Sequence, residues 1–253
     1  MHQAQSYVDG QLKPVALGGK LSTVALNAAQ AAALHQALNR DAADYVYSGI
    51  VSIGDAVQAI ERDLFTWATV KLYYAVFYMT RAILAAHGTA ICYEGTKPYS
   101  WESSAGAMAV KRDGPTHKVV LTSFGAVLPN NALLSQPIGV DGALDWLMKR
   151  REEVNYTTPR FSEPNAPAHL ELIAMTGVRK SVSAYLRDDS FLYAFDPQHA
   201  ILAFPVEALK MVLRSKTSGG SGIRLADNDR KYLASLYVDK TGPLAEAVHL
   251  IRP

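Results

Sequence analysis

The sequence holds one cysteine, Cys92, in 253 residues. A single thiol excludes an intramolecular disulfide framework and fits a reducing compartment. No second Cys and no His stands at metal-ligand spacing from it, so Cys92 reads as a small packed hydrophobe rather than a ligand or nucleophile. Metal pairs of the His-x-x-x-His or Cys-x-x-Cys type are missing, and so is a Walker-type loop. Ser218-Gly-Gly-Ser-Gly222 lacks the Lys-Ser/Thr ending and reads as a flexible surface loop. No metal and no cofactor are expected. Long uninterrupted apolar runs are missing too. The most apolar stretch, Phe65 to Ala86, contains Lys71 and Arg81, which suits a buried central helix and not a membrane span. Met1 to Leu12 is polar, so no signal peptide is expected and the expected location is cytoplasmic. A net charge of +2 is too small to imply nucleic-acid binding by itself and leaves only a local basic patch for that role. No internal repeat of solenoid type is visible.

What is present can bury a core: 49% of residues are apolar and 19% are charged. The length exceeds one helical bundle and falls short of two full domains. The expectation is a mainly α fold with three parts. These are an extended leader over 1–20, an up-and-down helical bundle over 21–188, and a C-terminal helical extension over 189–253 packed on that bundle.

Local signals fill in this scheme. Ser22 is the expected N-cap of an Ala-rich helix running through Asn39, and Asp41 to Gly54 is less regular. Ala56 to His87 contains no Gly or Pro, and its apolar residues recur at helical spacing, so one long helix is predicted with Gly88 past its end. Thr89 to Pro115 reads as a long connection with a short strand or hairpin near Ala105 to Val110. Thr116 opens another helix, Val140 to Tyr156 a third, and Ala168 to Leu186 a fourth. Pro205 sits at an acceptable first-turn position of a helix to Arg214. Short helices near Asp227 to Tyr237 and Pro243 to Leu250 complete the chain. Phe191 to Phe204 is apolar and aromatic, and is either extra core or a surface for a partner.

Three stretches carry a resemblance. The first is Trp67-Ala-Thr-Val-Lys-Leu-Tyr-Tyr-Ala-Val-Phe-Tyr-Met-Thr-Arg-Ala-Ile-Leu-Ala-Ala-His-Gly88, with a Tyr-Tyr-Ala-x-Phe segment, an Arg-Ala pair and a closing Gly. The second is Thr116-His117-Lys118 opening a helix and followed by Phe124. The third is Arg151-Glu152-Glu153-Val154-Asn155-Tyr156. In this order they resemble small bacterial HEPN proteins, although that family usually has Asp where Asn155 stands. The resemblance implies a HEPN-like helical bundle, commonly dimeric, in a superfamily rich in ribonucleases, toxins of toxin–antitoxin pairs and antiviral defence proteins. RNA, a second copy or a protein partner are the partners it implies; a membrane is not.

The same resemblance points to a candidate site. Metal-free RNA cleavage needs a base for the 2′-OH, a cation for the phosphorane and an acid for the leaving oxygen. HEPN ribonucleases are typified by Arg-x(4–6)-His, and Arg112-Asp-Gly-Pro-Thr-His117 fits that string. His117 suits proton transfer near neutral pH, and Arg112 suits a phosphate. Arg81, Arg151 and Tyr156 are the further candidates. Gly114 and Pro115 interrupt the pair, which leaves a second reading: Thr116 and His117 cap the helix and bond across the fold. Arg81 either reaches a polar site or snorkels outward over its stem. Lys149, Arg150 and Arg151 form either a solvated face or a phosphate contact. Three functions remain open: a dimeric or partner-bound HEPN-like module with an RNA-related or defence role, a metal-independent endoribonuclease, and a nucleotide or small-molecule-binding regulator with a cavity beside Arg81, His117 and Tyr156.

Overall fold

In the computed structural model the described residues are 2–157, 159–214 and 222–236. The protein is mainly helical, with short strands. It divides into two units, one of Met1–Tyr45, Thr80–Pro129 and Arg214–Arg224, the other of Val46–Met79, Asn130–Leu213 and Leu225–Pro253. The division does not follow the expected boundaries at 20 and 188. The two longest helices, α2 (Ala28–Ile60) and α3 (Phe65–Ala86), each contribute to both units.

In the first unit the leader is not extended. It forms α1 (Gln3–Tyr7), a π-helical turn Val8–Leu12 and short 3₁₀ turns to Thr23. Its Ala4, Val8 and Leu12 are buried in the hydrophobic core, and this packing overrides a locally polar, Gly-containing sequence. Ser22 is not the cap of α2. Asn27 is: its Oδ1 accepts from the Gln30 N–H at 2.8 Å, while the Gln30 side chain accepts from the Asn27 N–H at 2.9 Å, a reciprocal capping box. Ala31, Leu34, Leu38 and Ala42 of α2 belong to the same core.

The expected connection from Thr89 to Pro115 is largely a sheet. Strands β1 (Thr89–Glu94), β2 (Lys97–Glu102) and β3 (Val110–Lys111) pair antiparallel in that order. Gly95, at φ 62°, opens the two-residue turn between the first two strands. Ala90 pairs with Trp101 and Cys92 with Tyr99, and all four side chains lie in the core. This period-two burial marks one sheet face as interior. Helix α4 (Thr116–Val127) follows.

In the second unit α2 continues without interruption through the segment expected to be irregular. Val46, Ile50, Ile53, Val57 and Ile60 are buried at helical spacing. Gly49 is present for close packing: a Cβ there would meet Met79 Cε at 2.5 Å. The single long helix expected from Ala56 to His87 is instead broken between α2 and α3. Asp63 takes φ 57°, and the Leu64 N–H returns to the Ala59 carbonyl. Asp tolerates this left-handed geometry better than most residues, so the stop needs no Gly or Pro.

A small hairpin of β4 (Pro137–Ile138) and β5 (Asp141–Gly142) precedes α5 (Ala143–Tyr156), which therefore starts later than expected. The helix expected from Ala168 to Leu186 is two, α6 (Ala168–Thr176) and α7 (Val178–Arg187), parted at Gly177 with φ 94°. Helix α8 (Ala200–Arg214) begins before Pro205, which lies inside it rather than at its start. Ala194, Phe195 and the stretch from Ala200 to Phe204 are buried, so that part of the segment from Phe191 is core, while Leu192 is exposed. Lys210 and Glu207 are buried on α8: Lys210 Nζ donates to Glu207 Oε1 at 2.7 Å, to the Tyr185 carbonyl at 3.3 Å and to the Asp188 carbonyl. Helix α9 (Asp227–Leu236) is the last described element. The expected helix Pro243 to Leu250 and nearly all of the Gly/Ser loop lie outside the described residues.

Candidate functional site

Arg81, Arg112 and His117 belong to the first unit, and Arg151 and Tyr156 to the second. Arg112 follows β3 and is exposed. Its Nε donates to Ser100 Oγ at 2.8 Å, and its N–H donates to the Pro98 carbonyl at 2.8 Å. Gly114, at φ 110°, and the extended Pro115 separate it from His117. His117 is the second residue of α4 and is half-buried. The pair therefore does not share a helix that would fix its mutual geometry. Thr116 accepts a 3.0 Å hydrogen bond from the Tyr93 hydroxyl, which ties the start of α4 to β1.

Arg81 turns into a polar cavity rather than outward. The cavity is lined by His2, Gln5, Asp41, Tyr45, Arg81 and Thr89, with apolar side chains between them; His117 is not among its walls. The guanidinium carbon of Arg81 lies 4.4 Å from the Tyr45 ring centroid, a cation–π contact. Tyr45 Oη and His2 Nδ1 are 3.3 Å apart. Burial, then the Arg81 charge, hold the His2 pKa below its ordinary value. Asp41 is buried and accepts from the N–H groups of Gln3 and Ala4 at 2.6 and 2.9 Å, which anchors α1 by its first turn. His2 and Asp41 escaped the sequence reading because one lies in the supposed leader and the other in the supposed irregular stretch. The recoverable signal was the four-residue spacing of Asp41 and Tyr45, which places them on one helix face.

In the second unit Arg151 sits between two tyrosines. Its guanidinium carbon is 5.3 Å from the Tyr73 ring centroid and 5.5 Å from that of Tyr156. Tyr73 is buried, and burial raises its hydroxyl pKa. The basic run does not form a free patch. Lys149 pairs with Asp141 at 2.5 Å, Arg150 with Glu153 at 2.8 Å and Arg151 with Glu152 at 3.7 Å.

A buried histidine also lies in this unit. His169 Nε2 is 2.9 Å from Thr69 Oγ1. The Thr69 hydroxyl donates to the Phe65 carbonyl at 3.0 Å, so Nε2 carries the proton that fills the contact. Burial, aided by the Arg150 charge, lowers the His169 pKa to about 4. It is a neutral packing residue near pH 7. Cys92 is equally inert, its thiol pushed up to about 12 by burial.

Among the described residues no group of three His, Cys, Asp or Glu is placed to hold a metal ion, and no helix is long and apolar enough to cross a membrane. Comparison with known proteins gives no matching family model, no matching curated protein and no matching solved structure.

Proposed function

We propose that the chain is a HEPN-like module with an RNA-related or defence role, acting as a dimer or with a protein partner. The observation that carries this reading is the Tyr73–Arg151–Tyr156 contact. It joins two of the three stretches on which the resemblance rests, the Tyr-Tyr segment of α3 and the Arg-to-Tyr segment of α5. A coincidental match of short strings gives no reason for those strings to meet at their characteristic residues. The third stretch, Thr116-His117-Lys118, opens α4.

A binding role suits the geometry better than catalysis. Arg112 is engaged with Ser100, and the chain between it and His117 is bent at Gly114. The second reading, a metal-independent endoribonuclease, rests on the Arg112–His117 spacing and on the half-exposed imidazole at the start of α4. Incubation of the protein and of His117→Ala with total RNA and tRNA, in chelator, separates the two. The module reading expects intact RNA with both proteins. Cleavage by the parent that disappears in His117→Ala would make the protein a ribonuclease and His117 catalytic.

A further inference from the structure

The second unit carries a groove of about 610 Å³ between two turns of the chain. One wall is the end of α2 and the turn after it, with Glu61 and Asp63. The other is the α6–α7 junction and the first turn of α7, with Arg179 and Lys180. Between them lie the buried apolar side chains of Ile60 and Val178. A Cβ added at Gly177 would meet nothing within 4 Å, so the groove is open there. Glu61 and Arg179 join the two walls in an ion pair at 2.5 Å. Asp63 and Lys180 are both exposed, and neither has an ion pair among the described residues. Two apolar side chains flank the groove. Leu64 directly follows Asp63 and is 44% exposed, and Met175 directly follows Ala174 and is 79% exposed.

We propose that this groove is a contact between two copies of the chain. The inference rests on the dimeric reading above and gives it a surface, but the charges of the two walls carry it. A two-fold axis sets one patch against the identical patch of the second copy, so a closed dimer needs a patch complementary to itself. Here an unpaired carboxylate stands on one wall and an unpaired ammonium on the other. The axis brings Asp63 of each copy to Lys180 of the other. It makes two equivalent ion pairs and leaves the Glu61–Arg179 pair intact. A partner of one charge sign would instead be attracted by one wall and repelled by the other. Exposed ion pairs contribute little by themselves. Met175 and Leu64 supply the apolar area, which the Ile60 and Val178 side chains receive. Open at Gly177, the groove does not enclose a small ligand. With so few apolar groups and two exposed ion pairs, the dimer is weak and loosened by salt.

The test is sedimentation of the full chain over a concentration series at low and moderate salt. The expected result is a monomer–dimer equilibrium that salt weakens. Lys180→Glu should weaken it roughly 10-fold or more at unchanged melting temperature, because each contact then sets two carboxylates together. Asp63→Lys should do the same. An equimolar mixture of Lys180→Glu and Asp63→Lys chains should dimerise again, since both contacts between unlike chains then join opposite charges. Asp63→Asn keeps the left-handed turn at φ 57° and should weaken the dimer less; it replaces Asp63→Lys if that chain does not fold. A dimer that none of these variants alters would overturn this surface and spare the dimeric reading. A folded mixture that stays monomeric would overturn the two-fold pairing. A parent chain that is monomeric at every concentration would overturn both the surface and the dimeric reading.

Discussion

Thr69 has one hydroxyl proton and gives it to the Phe65 carbonyl, which leaves His169 to donate in return. Either charge state of the ring can donate there; burial, aided by the Arg150 charge, keeps the imidazole neutral and lowers its pKa from 6.5 to about 4. Between those values the unfolded chain takes up a proton that the folded one refuses. Stability should therefore be full above about pH 6.5, fall as the pH drops towards 4, and level off below, by up to roughly 3 kcal/mol from this residue. His2 adds to the trend in the same direction, since its pKa is also lowered. Urea titrations across this range should give a flatter profile for His169→Gln than for the parent; equal slopes would remove His169 as the source. Sequence alone presented His169 as an ordinary residue of an expected helix, because its partner Thr69 is distant in the chain.

At the scale of elements, patterning was legible where the apolar period ran against no competing signal. The helices opening at Thr116 and Asp227 follow from it, and Gly88 ends α3 with φ 77°. Other boundaries were set by contacts that periodicity does not encode. Gly49 reads locally as a weak point, yet it lies in the middle of a 33-residue helix because Met79 packs against its bare Cα. Asp63 reads as helical and instead stops the chain. Leader residues Val8 and Leu12 are too few to announce a core position until α2 and the sheet are present to cover them. The end of α7, from which the aromatic segment departs, is likewise held by α8, through the buried Lys210 ammonium and its bonds to the Tyr185 and Asp188 carbonyls. Removing that ammonium takes away the 2.7 Å ion pair of the buried Glu207. Lys210→Met should cost about 3–5 kcal/mol, whereas adding Glu207→Leu should recover much of the loss. Additive losses in chemical denaturation would refute this coupling.

At the scale of the whole molecule, the candidate residues separate into three settings. Arg81 belongs to a small polar cavity with His2, Asp41 and Tyr45. Arg112 and His117 flank a bent connection into α4. Arg151 and Tyr156 share a cation–aromatic contact with Tyr73. Sequence named Arg81, Arg112, His117, Arg151 and Tyr156 by residue type and spacing, but it had no access to which of them face one another. It also left the basic run at 149–151 open as a phosphate contact, and the structure pairs every one of those cations with a carboxylate. A functional account that relied on bulk positive charge would find little support here, with a net charge of +2. The most direct test of the proposed RNA-related role is a gel-shift of labelled single-stranded RNA with the full chain, in chelator, resolving free, bound and cut RNA together. The expected result is a shifted, uncut RNA; RNA that stays free at all protein concentrations, or that is cut, would contradict that role.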